Sequence, residues 1–199
     1  MKIGILHEKL EWTEQELERI FTQRGIEVAR FDIRDTSAAE ISAYGPDILL
    51  NRVYASVGNR NFPALAKTIG ILERLEENSV LAVNSANATK ADYGKFFAYQ
   101  AMKRAGISTP TTVVYDSQAD LEEVLSQQLD GLPIIVKRDS GGRGVDVAKC
   151  DTLEEVTSAI SAIQGASDYN GMTLLQQFVI PAEDRDYRVC VIDGEVVYH

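Results

Sequence analysis

The chain has 199 residues, 45% hydrophobic and 25% charged, with a formal net charge of −10. That is enough for one large domain or two small ones with a sizeable core, and the acidic balance argues against general nucleic-acid binding because phosphates would be repelled. Cys150 and Cys190 lack CxxC spacing, which fits a reduced, cytoplasmic setting. No stretch approaches the roughly 20 apolar residues of a membrane span, and the opening MKIGILHEKLEW is too short an apolar run for a signal peptide.

The first 84 residues alternate strand and helix patterns. KIGIL (2–6) reads as a strand buried on both faces. Thr13 with Glu16 makes a capping box for a helix whose apolar stripe is Leu17, Ile20 and Phe21, stopped at Gly25. EVARFD (27–32) and DILLNRV (47–53) are the second and third strands, 62–77 has helical spacing, and VLAVN (80–84) is the fourth strand. Alternation of this kind predicts a parallel, Rossmann-like sheet with helices on its faces. No GxGxxG follows the first strand, so a dinucleotide role for this segment is not supported. The loop NRVYASVGNRN after the third strand carries Arg52 and Arg60 at the carboxyl end of the sheet, where ligands gather. Either could hold a substrate carboxylate, and the loop reads equally well as an ordinary polar connection.

One long helix is expected at about 87–105, ending at Gly106 with Pro110 beyond. TTVVY (111–115) is a strand, Ser117 and Asp120 read as a capping box, and Thr152 with Glu155 caps a later helix. The order from 111 to 163 is strand, helix, strand, loop, strand, helix, a small α+β unit. A polar linker (164–171), the strand TLLQQFV and a hairpin turning at Asp193-Gly194 follow. That hairpin has an unpaired edge at His199, which reads as a chain cut inside a larger domain.

Residues 134–147, IIVKRDSGGRGVDV, place Lys137 before Gly141, Gly142 and Gly144. In a Walker loop the lysine follows the glycines and opens a helix. Here a strand–loop–strand flap is expected, whose amides can form a concave anion site and which can open and close like a lid. The same loop could be a plain hairpin tip, and Lys137 a solvated strand end.

Three patterns in order resemble the ATP-grasp superfamily, in its RimK type: Asn84, Lys95 and Pro110 around the expected helix; the strand and flap VKRDSGGRGV; and Gln176-Gln177-Phe178-Val179 leading to Asp186-Tyr187-Arg188. The resemblance covers about residues 84 to 199. It implies an α/β protein in which a Rossmann-like pre-ATP-grasp domain (1–84) precedes an incomplete ATP-grasp α+β module, 85–171 with a lid at about 110–171, then the start of a further subdomain at 172–199. It implies an ATP- and Mg2+-dependent ligase that joins a small-molecule carboxylate, commonly glutamate, to an amine through an acyl phosphate. Homo-oligomers are compatible with it, and a non-catalytic nucleotide-binding or regulatory module is the alternative. ATP would be held by Lys95, Lys137, Ser140, Gly141, Gly142, Arg143, Gly144, Gln176, Gln177, Phe178, Val179 and Asp186, and Arg188 joins Arg52 and Arg60 as a substrate candidate. The sequence departs from the pattern at Gln177, where glutamate is common, at Arg138, where proline is frequent, and at Asp146, where glycine is frequent. The family's magnesium ligands are expected beyond His199.

Overall fold

The computed structural model describes all residues except Arg143, Asp168, Asn170, Asp184, Asp186, Asp193 and His199, and only the backbone of Ile192 and Tyr198. No described helix is long and apolar enough to cross a membrane.

In chain order the first sheet and its helices are β1 (Lys2–His7), α1 (Trp12–Gln23), β2 (Glu27–Asp32), α2 (Ala38–Tyr44), β3 (Ile48–Asn51), a 3-10 turn (Ala55–Asn59), α3 (Phe62–Glu77) and β4 (Leu81–Val83). The strands stand in the order β2-β1-β3-β4, all parallel. All four carboxyl ends therefore point one way, and the loops after β1, β3 and β4 meet at one rim. Leu6, Ile33, Ile41, Leu49, Leu72 and Leu75 are fully buried in this core. The expected parallel α/β sheet is present. The short α2, capped by Ser37 and Glu40, was not anticipated; seven residues are too few for a clear apolar stripe.

Helix α1 begins one turn-edge earlier than its sequence suggests. Its cap is Glu11, paired reciprocally with Glu14, not Thr13 with Glu16. The reason is tertiary: Glu14 is buried and receives the Arg52 guanidinium at 3.0 Å, which fixes it against the sheet rim.

The expected single helix at 87–105 is two helices, α4 (Ala86–Tyr93) and α5 (Lys95–Arg104), broken at Gly94, whose backbone is extended. Asp139, far along the chain, causes the break. Its backbone oxygen accepts the Lys95 N–H at 3.1 Å, and its carboxylate accepts the Phe96 N–H at 2.8 Å. Two of the orphan donors at the start of α5 are thus satisfied from outside the helix.

The second sheet comprises β5 (Thr112–Val114), β6 (Ile134–Arg138), β7 (Val147–Cys150) and β8 (Thr173–Gln177), with α6 (Leu121–Gln128) and α7 (Leu153–Gln164). Its order is β5-β8-β6-β7, antiparallel throughout. Asp120 alone caps α6, accepting from Glu122 and Glu123, where a Ser117–Asp120 box was expected. The Thr152–Glu155 box on α7 is as expected. A separate apolar core, including Leu129, Ile134, Val136, Val156 and Leu175, packs the helices on one face of this sheet. The other face carries Lys137 and Gln176 together with Ile135 and the buried Leu174. Strands β9 (Cys190–Ile192) and β10 (Glu195–Tyr198) form the expected hairpin, with Gly194 at φ +81°; the Asp193 half of its turn lies outside the described residues.

Candidate functional site

Alternation along β6 buries Ile134, Val136 and Arg138 and turns Ile135 and Lys137 to the opposite face. In register, Gln176 of β8 lies opposite Ile135 on one side and Thr112 of β5 on the other. The three polar side chains therefore form a row across three strands. Lys137 Nζ donates to Gln176 Oε1 at 2.9 Å, and Gln176 Nε2 donates to Thr112 Oγ1 at 2.6 Å. Thr112 Oγ1 in turn donates to the Pro110 carbonyl at 3.1 Å. Both ends of the Gln176 amide are used, so its oxygen is fixed toward the ammonium.

The helix break places Lys95 at the first residue of α5, against the flap. Its Nζ donates to the carbonyls of Asp139 (3.0 Å), Ser140 (3.2 Å) and Gly141 (3.0 Å). An ammonium has three donors, and all three hold consecutive flap carbonyls. Burial pushes the Lys95 pKa down; Asp139 opposes this, and the nearby charges of Lys137 and Arg138 lower it further. Burial also lowers Lys137, with Asp139 opposing. Lys95 and Lys137 are thus two half-buried ammonium groups whose charges oppose one another beside the flap, a setting that favours an incoming anion.

Ser140 is buried, and Gly141 and Gly144 have φ of +93° and +73°, conformations that glycine adopts without a Cβ penalty. Arg143 lies outside the described residues. At the flap base Arg138 Nη2 meets Asp146 Oδ2 at 2.9 Å. At the end of β8, Gln177 donates its backbone N–H to Thr111 O at 2.9 Å and its side-chain amide to Asp130 at 3.3 Å. Phe178 lies under the Lys149 ammonium, 5.1 Å from the ring centre, and Val179 is exposed. Asp186 lies outside the described residues, and Arg188 is exposed.

Arg52 and Arg60, at either end of the 3-10 turn, line one small pocket of about 60 Å³ together with Glu8, Glu14, Tyr54 and Ser56. Both are already paired with buried acids: Arg52 with Glu14 at 3.0 Å, and Arg60 with Glu8 at 2.5 Å. Arg52 also stacks over the Tyr54 ring at 4.7 Å. Burial pushes the Glu14 carboxyl up, but hydrogen bonds from Arg52 and from backbone N–H groups outweigh it and hold the carboxyl below its ordinary range. Asn84, just after β4, borders a neighbouring pocket of about 220 Å³ with Asn51, Tyr54, Thr89 and Asp92. Asp139, Glu8 and Glu14 were not anticipated, since nothing in their local sequence marks them. Among the described residues no group of three or more His, Cys, Asp or Glu is assembled for a metal.

Residues 91–199 match the model of the RimK-like ATP-grasp domain. The chain is 27% identical over 205 residues to a probable alpha-L-glutamate ligase of Aeromonas salmonicida (strain A449), covering 99% of this chain and 66% of that protein. It is 31% identical over 153 residues to a probable alpha-L-glutamate ligase of Thioalkalivibrio sulfidiphilus (strain HL-EbGR7), covering 77% of this chain and 47% of that one. Among solved structures, a RimK domain ATP-grasp protein from Sphaerobacter thermophilus DSM 20745 superposes with a TM-score of 0.66 at 20% identity, covering 90% of this chain and 65% of that one. D-alanine–D-alanine ligase from Bacillus anthracis gives 0.64 at 16%, covering 90% and 58%. The structural likeness shows a shared fold. The chain spans from under half to about two thirds of the length of these proteins.

Proposed function

Since the chain belongs to the RimK-like ATP-grasp family, we propose that it is part of an ATP-dependent carboxylate–amine ligase, with an amino acid such as glutamate as the acid and an amine as acceptor. The observation that supports this reading is that Lys95 holds the carbonyls of Asp139, Ser140 and Gly141 while Lys137, also half-buried, stands two residues before that segment at the end of β6 and is held by Gln176. The similarity to probable alpha-L-glutamate ligases supports glutamate. The division into a preceding domain (1–84), an ATP-grasp part with its lid (85–171) and the start of a further subdomain (172–199) belongs to the same proposal.

A carboxylate oxygen is a poor leaving group, so amide formation needs activation. ATP supplies a phosphoryl group: the carboxylate oxygen attacks the γ-phosphorus, the bond to ADP breaks, and an acyl phosphate forms. The amine nitrogen then attacks the acyl carbon, phosphate leaves, and the nitrogen gives up its proton. Lys137 would hold phosphate oxygens by charge, oriented by Gln176. Lys95 would exchange flap carbonyls for phosphate oxygens. Ser140 to Gly144 would turn amides to the phosphates and exclude water, which otherwise hydrolyses the acyl phosphate. Gln176 to Val179 would lie along the adenine edge, with Asp186 toward the ribose. Arg52 or Arg60 would take the substrate carboxylate by exchanging an acid partner, and Arg188 stands as a further candidate. Among the described residues no acidic cluster is assembled that would hold magnesium.

Incubating the full-length protein with ATP, magnesium, L-glutamate and hydroxylamine tests this. The expected result is a hydroxamate formed only with ATP and the acid present. Nucleotide binding with no hydroxamate from any amino acid would favour the non-catalytic module instead.

A further inference from the structure

The 3-10 turn Ala55–Asn59 belongs to the rim of the first sheet, yet the flap of the second sheet rests on it. A Cβ placed on Gly141 would lie 2.8 Å from Asn59 Oδ1, and one on Gly142 would lie 3.4 Å from Ser56 Cβ and 3.5 Å from its backbone nitrogen. Asn59 Nδ2 also reaches the Gly142 carbonyl at 3.5 Å, the long limit of a hydrogen bond. The turn is held independently of the flap. Val57 and Gly58 are buried, Ala55 N–H donates to Asp92 Oδ2 at 2.9 Å, and the Tyr93 hydroxyl donates to the Val53 carbonyl at 2.7 Å. The flap is therefore gripped from two sides, by Lys95 on its carbonyls and by the turn on its glycines.

We propose that Ser56 and Asn59 are positioning residues that seat the flap over the cleft. Glycine at 141 is then required by close approach to Asn59 as well as by its positive φ, and glycine at 142 by contact with Ser56. Neither residue needs to touch nucleotide. The consequence for phosphate binding rests on the proposed function; the seat itself does not.

The test is a double-mutant cycle between Asn59→Ala and Gly141→Ala, read by hydrogen exchange of the amides from Asp139 to Gly142. Asn59→Ala is expected to speed exchange there by about tenfold while α3 is unchanged. Gly141→Ala speeds it further in the wild-type background, through both its φ and its collision with Asn59. In the Asn59→Ala background the collision is gone and the φ cost remains, so the double variant exchanges more slowly than the product of the single effects predicts. Strict additivity, or unchanged flap exchange in Asn59→Ala, overturns the proposal. Asn59→Asp, similar in size but without the donor, serves as the second variant should Asn59→Ala fail to fold, with faster flap exchange expected and wild-type exchange contradicting the seat. A parallel titration with AMPPNP separates the two readings: no binding by any form removes the nucleotide role and leaves the exchange cycle to decide the seat.

Discussion

Arg138 and Asp146 face each other across the base of the flap, Nη2 to Oδ2 at 2.9 Å, while the Arg138 N–H donates to the Asp146 carbonyl at 3.1 Å. These are two of the positions at which the sequence departs from the family pattern, and the structure makes them partners. The Arg138 side chain is 6% exposed and that of Asp146 32%, so the pair is desolvated on one side only. Asp146 also holds φ at +55°, which glycine would adopt at lower cost.

Asp146→Gly should therefore release strain and lose the ion pair together. The lost pair, discounted for the exposure of Asp146, is worth about 1–2 kcal/mol, and relief at φ returns about 1 kcal/mol. Chemical denaturation should show a net loss under about 1 kcal/mol, and limited proteolysis should show a flap that is cut faster.

Lys95→Ala should loosen the flap even without ligand, because three carbonyls lose their donor at once. Hydrogen exchange of α5 and of the segment after Lys137 reads this directly. Lys95→Arg should restore part of the effect, since charge and donors remain while the geometry differs.

How much of this was legible in the sequence differs by element. The parallel strands, the antiparallel flap hairpin and the Thr152–Glu155 cap follow from patterns within a few residues, and the structure has them. The break at Gly94 does not, because Asp139, which caps α5, comes from the loop after β6, more than forty residues further along the chain. The start of α1 is likewise hidden from its local sequence, since Arg52 selects Glu14 from a distant loop. Lys137 could be singled out by its place before the glycines, but its fixed partner Gln176 emerges only from the register of β6 with β8.

Arg52 has a structural duty whatever it binds. Arg52→Ala leaves the Glu14 carboxylate, whose side chain is 4% exposed, without its guanidinium. A loss of about 2–4 kcal/mol is expected by denaturation at neutral pH. Glu14→Gln should cost less, because no buried charge is left unpaired on the acid side. Equal losses in the two variants would show that the pair contributes through packing alone.

Nucleotide affinity should fall at alkaline pH earlier than an ordinary lysine would cause. Burial holds the folded-state values of Lys95 and Lys137 below 10.5. Between the lowered values and 10.5 the unfolded chain binds more protons than the folded one, so these two groups make folding more favourable as pH rises there. Anion binding runs the opposite way, because the charge that attracts phosphate is lost over the same interval. Calorimetric titration with AMPPNP from pH 7 to 10 should show affinity falling while the midpoint of denaturation, as far as these lysines set it, does not fall.

The most direct test is the affinity of AMPPNP for the wild-type protein and for Lys137→Met, which keeps an unbranched side chain one atom shorter and removes its charge. A loss of at least about tenfold on substitution is expected, in line with one charge-assisted contact to phosphate. Equal affinity in the two proteins, at equal folded stability, would mean that the β6 ammonium does not face nucleotide phosphates, and the ligase reading of this cleft would be wrong.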